Sequence, residues 1–353
     1  MTAAFNPAPD LSGIDVPAVQ RWMDEAGLGT GPVTNVRPVG GGTQNLMYRF
    51  DRDRTGYVLR RGPRHLRPRT NDALRREMTV LQALRTTDVP HLRLVAACDD
   101  PQVLGDSVFY LMEPVDGVNA LVDLAPAHLA SSSLRHAMGL KIVDALLTLD
   151  AVDLGAVGLD GLGHSDGFLE RQVGRWRDEL AGYQQLGYRG NEIPGVNEVA
   201  EWLERYRPPA SPPGLMHGDF HLGNVMFHRE SADIVAIVDW EMCTVGDPLL
   251  DLGWLLAVWA DPGETGDLMD SRLAEAGGVA TPDELVARYA ASGARSLEHL
   301  TWYRALACFK LGIVLEGTYA RSLAGKATAA LGSWMHTRTL KLFERANRLI
   351  EQA

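Results

Sequence analysis

The sequence predicts an α+β protein in two parts: a small antiparallel β-sheet portion through about residue 113, and a larger, mainly helical portion over 114–353. Three observations predict it. Short apolar segments bounded by turn residues fill the first third of the chain. From about Ala120 the apolar residues recur at three- and four-residue spacing, the helical period. A dense polar stretch, LMHGDFHLGNVMFHRESADIVAIVDWEMCTVGDPLLDL, occupies residues 215–252 and interleaves short strands with His, Asp and Asn. At 353 residues the chain is long enough for two modest cores.

Bulk properties exclude several classes. Hydrophobic residues make up 46% and charged residues 22%, ordinary values for a globular protein. No apolar run is long enough to span a bilayer, and the start, MTAAFNPAPDLSG, lacks a basic-then-apolar signal pattern. Cys98, Cys243 and Cys308 are odd in number and far apart, so neither a disulfide framework nor a zinc site is expected. A reducing cytoplasm is the expected location. The net charge of −11 is uneven: through Glu113 there are fourteen Arg and no Lys against thirteen acids, and the acid excess lies beyond. That argues against nucleic acid or an anionic membrane as partner. It suits a cationic substrate or plain solubility charge equally well. The oligomeric state leaves no trace.

Taken in order, residues 1–13 read as a loose Pro/Ala/Gly-rich arm. Val16, Val19, Trp22 and Met23 give 15–28 a helical spacing that stops at a glycine cluster. Segments 33–39 and 46–50 read as strands joined by Gly40, Gly41, Gly42, Thr43, Gln44 and Asn45. Such a turn can fold over phosphates, because glycine lets the backbone approach closely and point N–H groups at oxygens. A plain hairpin turn gives the same pattern. Residues 57–61 read as a third strand, and 71–84 as an amphipathic helix with Leu74, Met78, Leu81 and Leu84 on one face. Strands follow at 92–97 and 107–112, then helices at 134–149, 168–186 and 196–206. The run RPPASPP at 207–213 stops helix and leads into the polar stretch. After it come a buried helix at 248–259 and helices at 283–291, 297–322 and 333–353, with no internal repeat.

The polar stretch carries the chemistry. Asp219 and Asn224 stand five positions apart on a tight loop flanked by Gly218 and Gly223. Asp239 emerges from the aliphatic run IVAIV, read as a buried strand. Phosphoryl transfer from a nucleotide needs such a set: one carboxylate to orient and deprotonate a hydroxyl, then an amide oxygen and a second carboxylate for magnesium. Each Asp alone reads equally as a cap or turn residue. His217-x-Asp219-x-His221 also matches a fragment of a metallohydrolase ligand set. No second dense His/Asp cluster follows it, and Asn224 and Asp239 have no role in that reading.

In the motifs H-G-D-x-x-x-x-N (from His217 to Asn224) and D-W-E (from Asp239), the chain resembles the aminoglycoside phosphotransferase-like family. The resemblance covers about residues 30–345. It implies the two-lobe protein-kinase-like fold, with an N-lobe over 1–113 and a C-lobe over 114–353, and it implies ATP and Mg2+ as cofactors. Residue by residue it implies Asp219 as catalytic base and Asn224 and Asp239 as metal ligands. Gly40, Gly41, Gly42, Thr43 and Asn45 would form the phosphate loop, whose G-G-x-x-N pattern fits this family. Most members place a lysine where Arg60 stands; Arg60 or Arg61 would take that role here, with Glu77 as carboxylate partner. Residues 109–117, with Glu113, resemble the lobe-connecting hinge whose backbone reads adenine. G-D-P-x-x-D-L implies that Asp247 and Asp251, like His217, brace the catalytic loop. The family's C-terminal helices build the acceptor pocket, which would put Glu316, Tyr319 and Arg321 at the acceptor.

The acceptor itself, a small-molecule hydroxyl, stays open. An aminoglycoside would favour an acidic pocket. The V-L-R-R of 58–61 is similar to the branch related to acyl-CoA dehydrogenases, which implies a hydroxyacyl-CoA and makes use of the Arg-rich first lobe. The missing lysine leaves a second function class, a nucleotide-binding pseudokinase with a regulatory or scaffolding role. The complete Asp219, Asn224 and Asp239 set speaks against it.

Overall fold

The structure, a computed structural model, describes residues 11–40, 45–190, 193–261 and 268–353. The chain divides into two compact units, one of residues 1–116 with 235–242, the other of 117–234 with 243–353. The first unit thus takes back the segment that carries Asp239.

The first unit is built on a five-stranded antiparallel sheet. Its elements are α1 (Val16–Glu25), β1 (Thr34–Pro38), β2 (Leu46–Arg52), β3 (Thr55–Arg61), α2 (Thr70–Leu84), β4 (Leu94–Cys98) and β5 (Phe109–Met112). The strand order is β1-β2-β3-β5-β4. Asp15 caps α1 by accepting from Ala18 N–H at 3.0 Å, so the helix starts where its apolar face starts. That face enters a core with Tyr48, Phe50, Tyr57, Leu59, Phe109 and Leu111. The other face of the sheet is served by α2, which buries Leu74, Met78, Val80, Leu81 and Leu84.

Strand alternation now separates two neighbouring arginines. Tyr57 and Leu59 point into the core shared with α1, and so does the next residue of the same parity, Arg61. Its guanidinium is spent on backbone carbonyls, Gly62 at 3.0 Å and Gly13 at 3.1 Å. Arg60 must point the opposite way, toward α2.

The second unit is mainly helical. It runs through β6 (Val118–Asn119), α3 (Pro126–Ala130), α4 (Ser132–Asp150), α5 (Leu154–Val157), α6 (Gln172–Gly182), α7 (Val196–Arg205), β7 (Gly214–Met216) and β8 (Val225–Phe227). Next in the chain is β9 (Ile234–Ile237), whose buried half is Ala236 and Ile237 only. Then come β10 (Thr244–Gly246), α8 (Leu249–Val258), α9 (Arg272–Ala276), α10 (Pro282–Ala290), α11 (Leu300–Leu323) and α12 (Ala329–Glu351). Every residue of α8 except Leu250 is buried, as a helix apolar but for Asp251 requires. It lies tight on α11: a Cβ on Gly253 would come within 2.7 Å of the Tyr303 carbonyl oxygen. Among the described residues no helix is long and apolar enough to cross a membrane.

Candidate active site

Two clusters hold the residues singled out by the sequence, one in each unit. In the first unit, Arg60 is the centre. Its Nε lies 3.0 Å from Glu77 Oε2, its Nη2 2.6 Å from Asp239 Oδ1, and Glu241 Oε2 stands 3.9 Å away. The Arg60–Glu77 contact is one of charge on charge, since neither atom has an aligned hydrogen-bond partner among the described residues. Burial opposes the charge on Arg60, but Glu77, Tyr110 and Asp239 outweigh it and hold the guanidinium firmly protonated. Glu77 is fully buried; burial pushes its carboxyl pKa up, with Arg60 pulling the other way. Its second oxygen accepts from Trp240 N–H at 3.2 Å, which ties the residue after Asp239 to α2.

Asp239 has a φ of 67°, the left-handed region, which Asp tolerates better than most residues and which commonly marks a functional turn. Its side chain is 38% exposed, open enough to take a cation. Asn45 Nδ2 donates to Glu241 Oε2 at 3.4 Å. Both line a cavity of roughly 260 Å³ with Arg67, Arg69, Thr70 and Glu77. Of the expected phosphate loop, Gly41, Gly42 and Thr43 lie outside the described residues. Gly40 has open space where a Cβ would sit, so nothing described requires glycine there. Glu113 is exposed, and its N–H donates to the Arg93 carbonyl at 3.0 Å. An adenine contact at this residue would therefore fall to its carbonyl.

In the second unit the loop after β7 carries Asp219. β7 pairs antiparallel with β10, and β8 pairs with β6, so the loop is held at both ends. Gly218 has a φ of 83°, where a side chain would be strained. The buried Asp251 carboxylate accepts from His217 N–H at 2.6 Å and from Gly218 N–H at 2.9 Å. Burial raises its pKa, opposed by His217 and by those two N–H groups. Asp247 is likewise buried and accepts from Ser211 Oγ at 2.8 Å, Tyr303 hydroxyl at 2.7 Å and Leu249 N–H at 3.1 Å. The His217 ring is buried, edge-on to Phe220.

Asp219 keeps 35% of its side chain exposed. Its Oδ1 accepts from Trp254 Nε1 at 3.0 Å and its Oδ2 from Asn224 Nδ2 at 3.2 Å. Desolvation resists its ionisation, but His221, then His217 and Lys310, hold the carboxyl well below the usual carboxylate range. Gly223 N–H donates to His221 Nδ1 at 3.0 Å, and His221 Nε2 lies 3.4 Å from Asn224 Nδ2 and 3.6 Å from Asp219 Oδ2. Asn224 also donates to the Asp219 carbonyl at 2.9 Å, leaving its amide oxygen as the group suited to a hard cation. His217, Asp219 and His221 do not converge as a ligand set. Among the described residues no three His, Cys, Asp or Glu side chains are arranged to hold a metal ion. A magnesium ion held by one or two protein oxygens, phosphate and water does not need such a trio.

A cavity of roughly 130 Å³ opens at Asp219 and is lined by Trp254, Leu311, Leu315, Trp334, Met335 and Arg338, among others. Glu316, Tyr319 and Arg321, expected at the acceptor, are not in this lining. Glu316 is fully buried with a carboxylate oxygen 2.9 Å from His336 Nδ1, Tyr319 stacks on His336, and Arg321 is exposed and bonded to Thr318. On α11 the cavity is met by Leu311 and Leu315, and helix periodicity turns 316 and 321 away from it, whereas Tyr319, one turn beyond Leu315, packs on His336 and Tyr188.

Sequence reading missed Trp254, Lys310 and Glu241. Trp254 sits in a helix that is apolar but for Asp251 and gives no cue. Lys310 does: a lone lysine between Phe309 and Leu311 in an apolar, aromatic helix is out of place on a buried face.

The model of the phosphotransferase enzyme family matches residues 35–291. Acyl-CoA dehydrogenase family member 11 of Gallus gallus is 31% identical over 305 residues, covering 84% of this chain and 38% of that protein. The chain spans between 25% and 41% of the length of the curated relatives it matches. The solved structure of an aminoglycoside phosphotransferase candidate from Ralstonia eutropha superposes with a TM-score of 0.81 at 25% identity, covering 96% of this chain and 99% of the other. The aminoglycoside phosphotransferase APH(4)-Ia, solved with AMP-PNP and hygromycin B, reaches a TM-score of 0.61 at 15% identity, over 94% and 99% of the chains, a likeness of fold. The chain belongs to the phosphotransferase enzyme family and has the kinase-like fold of the aminoglycoside phosphotransferases.

Proposed function

We propose that the protein transfers the γ-phosphate of ATP to a hydroxyl of a small, largely apolar acceptor. The observation that carries this reading is Asp219, an ionised, half-exposed carboxylate held by Trp254 and Asn224 at the mouth of an apolar cavity. In this reading Asp219 Oδ2 orients the acceptor hydroxyl and takes its proton as the oxygen attacks phosphorus and the bond to the leaving diphosphate breaks. Arg60, kept charged and held by Glu77, steadies the nucleotide's phosphates, with Asn45 beside the same cavity. Asp239 in the first unit and, separately, Asn224 in the second each carry an oxygen of the kind that suits magnesium, an ion that when bound would offset charge on the transferring phosphoryl group. Arg60 now contacts Asp239, and nucleotide binding would draw that guanidinium toward phosphate.

The acceptor follows from the lining. A polycationic aminoglycoside needs carboxylates, and Asp219 is the one acid among the described residues of this cavity. Tryptophan, leucine and methionine side chains suit an acyl chain instead, and relatives carry the words acyl-CoA dehydrogenase in their names. A hydroxyacyl thioester is therefore the favoured acceptor class. The test is phosphate transfer from MgATP to two panels, one of hydroxyacyl-CoA thioesters and simple alcohols, one of aminoglycosides. Product from the first panel supports the reading. Product from the second alone overturns the acceptor assignment, and none from either overturns the function.

A further inference from the structure

A charged side chain that the mechanism above does not use stands against the catalytic loop. Lys310, on α11, donates from Nζ to the Gly218 carbonyl at 3.2 Å. The same ammonium lies 4.3 Å from the centre of the Trp254 ring and 5.6 Å from that of Trp176. Its neighbours in sequence, Phe309 and Leu311, are buried. Withdrawing an ammonium from water is costly unless its environment compensates, and two indole faces with one carbonyl provide that compensation. Of the three donors of Lys310, one is used by the described residues.

Two of the groups that Lys310 touches help to place Asp219. Gly218 precedes it; its N–H, in the peptide before it, is held by Asp251 and its carbonyl, in the peptide that leads to Asp219, by Lys310. Trp254 donates its indole N–H to Asp219 Oδ1 at 3.0 Å, and its ring plane is fixed by the cation above it. If the indole tilts, Oδ1 loses its donor and the carboxylate can rotate. We propose that Lys310 is a positioning residue for the phosphoryl transfer proposed above, on which this inference rests: it holds the Gly218 carbonyl and the Trp254 indole so that Asp219 presents one fixed oxygen to the acceptor.

The charge of Lys310 is open to titration. Burial pushes its pKa below the ordinary lysine value, Asp219 on the loop and Asp251 on α8 pull it back up, and Arg175 on α6 adds to the lowering. The charge is thus lost as pH rises, earlier than for a free lysine.

Lys310→Met and Lys310→Arg test the proposal through amide exchange of residues 217–224 and through transfer kinetics. The Met variant is expected to exchange this loop about tenfold faster or more, the effect of losing a charge-assisted hydrogen bond. It should lower kcat about 100-fold, with the KM for ATP little changed. The Arg variant should restore loop protection and part of the rate, and remove the alkaline fall in kcat that the lysine imposes. Unchanged loop exchange and kcat in the Met variant overturn the proposal. So does equally faster exchange throughout α8 and α11 in both variants, which marks a general folding role. Should the unmutated protein transfer no phosphate, the functional reading fails, and loop exchange alone then decides the role of Lys310.

Discussion

Replacing Arg60 with methionine is the sharpest probe of the first cluster. Met keeps much of the side-chain volume and removes the charge. Arg60 and Glu77 are 9% and 1% exposed at the side chain, so the change leaves Glu77 ionised in a buried site with the Trp240 N–H as its main aligned donor. Breaking a buried pair from one side costs about 3–5 kcal/mol, because the remaining charge is uncompensated. The companion variant, Arg60→Met with Glu77→Gln, removes both charges and should recover most of that loss. The assay is denaturant unfolding, followed together with amide exchange in β3 and α2 so that the first unit is read by itself. A pH series adds an independent sign. Burial already raises the Glu77 carboxyl pKa above its unfolded value. A group raised in the folded state favours folding below its unfolded pKa and loses that contribution as pH rises through the folded value. The Met penalty should therefore shrink on acidification, as Glu77 takes a proton. A penalty within about 0.5 kcal/mol, the size of a neutral surface change, would refute the reasoning. A double variant no more stable than the single one would do the same.

Two further outcomes follow from the second cluster. Trp254→Phe keeps the ring and removes the N–H given to Asp219 Oδ1; kcat should fall by about tenfold, the worth of one hydrogen bond to a charged group, with ATP affinity unchanged. A change in ATP affinity as large as the change in kcat would count against a role confined to Asp219. Asp251→Ala leaves the His217 and Gly218 N–H groups without their acceptor, at about 1–3 kcal/mol each, and Asp251→Asn should cost less because one oxygen remains. Thermal unfolding that ranks the two variants the other way would contradict the bracing role.

The fold was legible because its signals are local. Asp15 before an apolar period, a glycine turn between two strands and RPPASPP before the polar stretch each act within a few residues. The candidate loop was legible for a similar reason, since Asp219, Asn224 and Asp239 lie on one short segment. Glu77 was legible as a partner for Arg60, but which of the two arginines stands in for the usual lysine was not, because 60 and 61 differ only in which sheet face they point to. That is settled by packing on α1 and α2, on which a single strand's composition is silent. Glu316, Tyr319 and Arg321, expected at the acceptor, do not line the cavity at Asp219: on a long helix, charge and aromaticity do not reveal which side chains meet a cavity. Trp254 and Lys310 escaped because their partners are a loop carbonyl and a carboxylate far away in sequence.

The most direct test of the central claim is Asp219→Asn, measured for ATP binding by calorimetry and for phosphate transfer to a hydroxyacyl thioester with magnesium as the metal. The account predicts that kcat falls about 10²–10⁴-fold, the usual worth of a positioned general base, while ATP binds as before. Turnover that survives the substitution, or that falls only in step with ATP binding, would contradict it.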